Sequence, residues 1–89
     1  MIRLQYSSKY LLSRKKFLKN NPNLFSKTTK AIELFIHNPK HPGLNLEKLK
    51  GSRYWTIRID MGNRIFFVWI NQLEVLFIDI GKHDKYRSY

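Results

Sequence analysis

The chain has 89 residues, enough for one small domain, and its 17 Lys and Arg against 6 Asp and Glu give a formal net charge of +11. With 43% hydrophobic and 15% aromatic residues it is too apolar to be a disordered basic tail. The absence of cysteine excludes a disulfide scaffold, thiol chemistry and any Cys-based zinc site, and the longest apolar run, Ile65 to Ile70, is far too short for a membrane helix.

In chain order, Ile2-Arg3-Leu4-Gln5-Tyr6 alternates apolar and polar and predicts a short strand. Ser7 and Ser8 can cap a following helix, expected to run to Lys19 with Tyr10, Leu11, Phe17 and Leu18 inward. Asn20-Asn21-Pro22 stops it, and Pro22 suits the first turn of a second helix, where its missing N–H has no partner to lose. The inner stripe of that helix reads Leu24, Phe25, Thr28, Ile32 and Phe35, and Asn38-Pro39 with His41-Pro42-Gly43 ends it. Tyr54–Asp60, Arg64–Ile70 and Leu73–Ile80 are then three runs rich in Ile, Val, Phe, Trp and Tyr, joined by the hairpin-length connections Met61-Gly62-Asn63 and Asn71-Gln72. The expected fold is α+β: a short N-terminal strand, a helix hairpin, then a three-stranded antiparallel meander with the helices on one sheet face. It is expected to occupy residues 1–89 as one domain, too small for more than a shallow cleft. Met1-Ile2-Arg3-Leu4 lacks the apolar core of a signal peptide, so a soluble, cytoplasmic protein is expected.

The pleat sorts the strand residues. With residues 61–63 as the first loop, Arg58 faces Phe66 and shares a side with Arg64. With residues 71–72 as the second, Phe66 faces Phe77 and Arg64 faces Asp79. The core side then collects Trp55, Ile57, Ile59, Ile65, Phe67, Trp69, Leu76, Ile78 and Ile80. The open side collects Thr56, Arg58, Arg64, Phe66, Val68, Phe77 and Asp79. A one-residue shift in the first loop would put Arg58 and Arg64 on opposite sides.

Residues 1–30 hold eight cations (Arg3, Lys9, Arg14, Lys15, Lys16, Lys19, Lys27 and Lys30) and no acid. Such a charge calls for a polyanion or an acidic protein as partner. Arg58 and Arg64 can grip one phosphate through their forked donors, or Arg64 can pair with Asp79 as a structural bridge. Gly81-Lys82-His83-Asp84 follows the last strand, where His83 can act as general acid or base or stand as an ordinary loop histidine. Tyr86 and Tyr89 lie among Lys85 and Arg87, a mixture that suits stacking on bases while cations track phosphates; one tyrosine docking the chain end is the plainer alternative. Glu47 in Leu46-Glu47-Lys48-Leu49-Lys50-Gly51 is a candidate base or a surface carboxylate. Lys48, Lys50, Arg53 and Lys82 join Lys85, Arg87 and Tyr89 as candidate RNA contacts. His37 and His41 have helical metal spacing, but Pro39 and Pro42 break the helix between them, and no metal or other cofactor is expected.

Leu46-Glu47-Lys48-Leu49-Lys50-Gly51, Tyr54-Trp55-Thr56-Ile57-Arg58-Ile59, Asn63-Arg64-Ile65-Phe66-Phe67 and Ile80-Gly81-Lys82-His83-Asp84-Lys85-Tyr86, in that order and spacing, resemble the RelE/ParE toxin superfamily of type II toxin–antitoxin pairs. The resemblance spans the chain and implies either a ribosome-dependent, metal-independent mRNA endonuclease or, in the ParE-like branch, a gyrase poison without nuclease activity. By position, Arg64 resembles the family's phosphate-contacting arginine and Arg58 the cation on the preceding strand. His83 matches the acid, Glu47 the base of YoeB-like members, and Tyr86 or Tyr89 the C-terminal aromatic. Thr56 stands where a RelE-like lysine is expected, and the YoeB-like His-Tyr terminus is missing. The implied partners are an acidic antitoxin, mRNA and the ribosome. A plain RNA-binding module is the remaining alternative.

Overall fold

The computed structural model describes residues 1–89. Its elements are β1 (Arg3–Tyr6), α1 (Ser8–Leu18), α2 (Pro22–His37), a 3-10 turn (Pro42–Leu44), β2 (Glu47–Lys48), β3 (Trp55–Asp60), β4 (Asn63–Asn71), β5 (Glu74–Lys82) and a second 3-10 turn (His83–Ser88). The expected α+β order is therefore observed. Ser7 caps α1, its hydroxyl accepting the Tyr10 N–H at 3.0 Å, and Asn21 caps α2 through Leu24 N–H at 3.1 Å, with Pro22 in the first turn.

The sheet has five strands in the order β1-β5-β4-β3-β2. β1 pairs parallel with β5, so the N-terminal strand crosses over the helices to lie beside the last one. Neither that pairing nor the short β2 follows from local pattern. Both helices pack on one face. Phe35 of α2 sits 5.1 Å from the Phe67 ring and 6.1 Å from Phe77, and Tyr10 of α1 lies 5.3 Å from Phe77. Ile2, Ala31, Leu44, Ile57, Ile65, Val75 and Ile80 complete this core. Leu11 and Phe25, expected inward, are exposed, whereas Tyr10, Thr28 and Phe35 are buried as expected and Ala31 joins them.

The register departs from expectation in two ways. Asp60 pairs with Asn63, leaving Met61-Gly62 as the first loop, and an irregularity between Arg58 and Asp60 brings Arg58 opposite Arg64 and Thr56 opposite Phe66. Arg58 therefore does not face Phe66. The displacement is an even number of residues, so Thr56, Arg58, Arg64 and Phe66 stay on one side, as the pleat predicted.

In the second hairpin the displacement is odd. Trp69 pairs with Val75 and Phe67 with Phe77, which puts Val75 and Phe77 in the core where Leu76 and Ile78 were expected. A bulge at Ile78 then resets the alternation, so that Phe66 faces Asp79 and Arg64 faces Gly81. Phe66 does not face Phe77, and Arg64 does not face Asp79. Without the bulge Asp79 would follow Phe77 into the hydrophobic layer.

Candidate active site

Arg64 is fixed by the hairpin turn it follows. The Asp60 carboxylate accepts from Gly62 N–H at 3.0 Å and from the Asn63 side chain at 2.9 Å, which shapes the turn. The turn carbonyls in turn receive Arg64: its Nη1 donates to Asp60 O at 2.6 Å and to Asn63 O at 2.9 Å. Its other guanidinium nitrogens make no hydrogen bond within the protein, and it forms no salt bridge. Arg64 is buried, 7% exposed. Burial, and after it the Arg58 cation, push its pKa below the usual arginine range. It is a clamped cation with free donors, suited to a planar anion.

The same turn holds His83, whose backbone N–H donates to Gly62 O at 2.8 Å. His83 opens the last 3-10 turn, and its ring lies 5.5 Å from that of Tyr86. Glu47 is presented from the other side, on β2 opposite Thr56. The loop behind β2 is closed locally: Leu49 N–H donates to Tyr54 O at 2.9 Å, the Ser52 hydroxyl donates to Leu49 O at 3.0 Å, and Gly51 supplies a left-handed turn with φ +79°.

These elements meet around a cleft of about 170 Å³ lined by Glu47, Leu49, Thr56, Arg64, His83 and Tyr86. Four of the five predicted catalytic candidates thus converge on one small, open depression. Thr56 and Leu49 join the lining without having been predicted as site residues. Thr56 was within reach of sequence reasoning, because the pleat already put it on the side of Arg64.

Arg58 is not among the lining residues. It borders a separate groove with Lys27 and Lys30 of α2 and the Gly43-Leu44 turn, and acts on Arg64 through its charge. Lys82 and Lys85 border a third depression against Ser13, Lys16 and Phe17 of α1. Lys48, Lys50 and Arg53 are exposed on and after β2, and Arg87 is exposed with its guanidinium 5.9 Å from the Tyr86 ring centre. No group of three or more His, Asp and Glu with metal-binding geometry occurs, and His41 Nδ1 accepts the Gly43 N–H at 2.9 Å.

The alternative of an Arg64–Asp79 bridge is not realised, and Asp79 belongs to another network. Asp79 is 1% exposed. Its carboxylate accepts from Lys85 Nζ at 2.9 Å, from the Tyr89 hydroxyl at 2.6 Å and from Ile80 N–H at 2.9 Å, with Lys9 Nζ at 3.5 Å. Burial opposes its ionisation, but the hydrogen bonds from Tyr89, Lys85 and Ile80 outweigh it and hold the carboxyl at about 2. Tyr89 does not line the cleft. Its ring stacks on Phe66 at 5.3 Å and meets Tyr54 edge-on at 4.8 Å.

No protein-family model and no curated protein sequence matches the chain. Solved structures do. A copper-bound mutant toxin from Helicobacter pylori superposes with a TM-score of 0.75 at 18% identity, over 96% of this chain and 98% of that one. The YoeB/ParE toxin from Agrobacterium tumefaciens gives 0.74 at 18% identity, over 92% and 99%. The E. coli DinJ–YafQ complex gives 0.76 at 16% identity, over 94% and 96%. At these identities the likeness is one of fold, and it extends nearly end to end. The chain has the fold of YoeB- and YafQ-type toxins, as the resemblance in its motifs implied.

Proposed function

We propose that this protein is the toxin of a type II toxin–antitoxin pair and acts as an mRNA endonuclease on the ribosome. The convergence of Glu47, Arg64, His83 and Tyr86 on one cleft carries this reading, with the shared toxin fold behind it.

In the proposed reaction a 2′-OH attacks the adjacent phosphorus. The new O2′–P bond forms as the P–O5′ bond breaks, leaving a 2′,3′-cyclic phosphate and a 5′-OH. Glu47 takes the 2′-proton, and protonated His83 gives a proton to the departing O5′; such general acid–base help is typically worth roughly 10²–10⁴-fold. The free guanidinium nitrogens of Arg64 stabilise the charge that grows on the phosphoryl oxygens, worth about 10²–10³-fold for one preorganised donor. Tyr86 offers a ring for a flanking base, and Arg58 adds positive potential from outside the cleft. All roles in charge stabilisation and proton transfer thus fall to side chains, which is the basis for reading the chemistry as metal-independent.

The eight cations of residues 1–30 give the broad, sequence-indifferent attraction needed for ribosomal RNA. The same excess charge favours an acidic antitoxin as the neutralising partner. The test is inducible expression of the wild type, Arg64→Ala and His83→Ala, followed by mapping of mRNA 5′ ends. New 5′-OH ends are expected with the wild type and their loss with both variants. Equal growth arrest by all three refutes the site, and an SOS response with intact mRNA selects a ParE-like gyrase poison instead.

A further inference from the structure

The His83–Ser88 turn carries two of the six residues that line the cleft, yet it buries none of its own side chains. Six residues of 3-10 helix have little intrinsic stability, so their position must come from what holds the two ends. The first end is fixed by His83 N–H on Gly62 O at 2.8 Å. The second is fixed by Tyr89, whose backbone N–H donates to Tyr86 O at 3.0 Å and whose side chain is held through both its ring and its hydroxyl. Its ring lies on Phe66, which is fully buried beneath it, and against Tyr54. Its hydroxyl donates to Asp79 Oδ2 at 2.6 Å and accepts from Lys9 Nζ at 2.5 Å. Midway along the turn, Lys85 reaches Asp79 Oδ1 at 2.9 Å across Gly81, where a Cβ would stand 2.7 Å from Lys85 Cδ. Only glycine leaves that passage open without displacing the lysine. The Ile78 bulge is what turns the Asp79 carboxylate to the side where Tyr89 and Lys85 can reach it.

We propose that Tyr89 and Asp79 are positioning residues: together they clasp the final turn so that His83 and Tyr86 stand opposite Glu47 and Arg64. The proposal rests on the nuclease reading of the cleft for its consequence, though not for the clasp itself. Tyr89 then acts through the turn, without touching the RNA. Tyr89→Phe keeps the stacked ring and deletes only the hydroxyl; Tyr89→Ala deletes both. Both changes are at a half-exposed residue outside the sheet and the hydrophobic core, so the sheet and its core remain to fold.

Backbone order parameters from NMR relaxation and single-turnover cleavage of an RNA oligonucleotide in programmed ribosomes separate the possibilities. Residues 83–88 are expected to go from rigid to below about 0.6 in Tyr89→Ala, with Tyr89→Phe between, while β4 and β5 stay rigid. The cleavage rate constant is expected to fall about tenfold in Tyr89→Phe, the equivalent of one lost hydrogen bond to a carboxylate, with the half-saturating ribosome concentration unchanged. A turn that stays rigid in Tyr89→Ala overturns the clasp. A mobile turn with undiminished cleavage overturns its role at the cleft, and a rise in half-saturation at constant rate makes Tyr89 a binding residue instead. Wild-type protein that cleaves nothing refutes the nuclease reading, and the order parameters then still decide whether the clasp holds the turn.

Discussion

Asp79→Asn isolates one buried charge. The Asp79 carboxyl, ordinarily near 3.8, sits at about 2 in the folded chain. A difference of nearly two pKa units, at about 1.4 kcal/mol each, makes its ionised form worth on the order of 2 kcal/mol to folding at neutral pH. The folded value lies below the unfolded one, so this contribution is complete above pH 3.8 and disappears as the pH falls through about 2. Urea unfolding followed by the fluorescence of Trp55 and Trp69 reads it directly. At pH 7 the variant is expected to lose on the order of 2 kcal/mol, roughly 8–16 °C in Tm for a domain of this size. The gap between wild type and variant is expected to shrink below pH 4, where the unfolded wild type binds a proton at Asp79 that the folded carboxylate still refuses, and to close as the pH falls through about 2. Other carboxylates, Glu74 among them, titrate alike in the two proteins and cancel in the difference. A gap that stays constant from pH 7 to pH 2.5, or one below about 0.5 kcal/mol at pH 7, refutes the assignment of this network as a stabilising one.

Two further substitutions probe the scaffold and the cleft separately. Ser7→Ala removes a hydroxyl that accepts the Tyr10 N–H at 3.0 Å and donates to Ile78 O at 3.1 Å, tying α1 to β5; thermal unfolding is expected to show a loss of about 1–2 kcal/mol. Glu47→Gln alters an exposed side chain on β2 and is expected to leave stability within about 0.5 kcal/mol, while single-turnover cleavage falls roughly 10²–10⁴-fold.

Much of this architecture is legible in the chain. Ser7, Asn21 and Pro22 mark the helix starts, because caps and first-turn prolines satisfy or remove orphan donors locally. The β-branched and aromatic runs mark β3, β4 and β5. Arg64 and Thr56 share a side because hairpin parity survives a shift of two residues. What stayed hidden is non-local. Val75-Leu76-Phe77-Ile78 is apolar at every position, so its alternation does not say which half faces the helices; only the register with β4 decides, and two bulges set that register. The position of Asp79 depends on the second of those bulges, and with it the docking of Tyr89. The pairing of β1 with β5 joins residues from opposite ends of the sequence, beyond any local signal. In the cleft, Glu47, Arg64, His83 and Tyr86 were readable from residue type and spacing, whereas Arg58, opposite Arg64 in the register, borders the neighbouring groove instead, which no local pattern distinguishes.

The sheet order also sets a timetable for biosynthesis. β5 lies between β1 and β4, so the first strand to leave the ribosomal exit tunnel waits for the last of the five before it has a partner. A nascent chain that has emerged only through β4 lacks that partner, the Asp79 anchor and the His83 and Tyr86 side of the cleft. Completion of the sheet is thereby postponed until β5 has been made, because the β1–β5 pairing is a long-range contact.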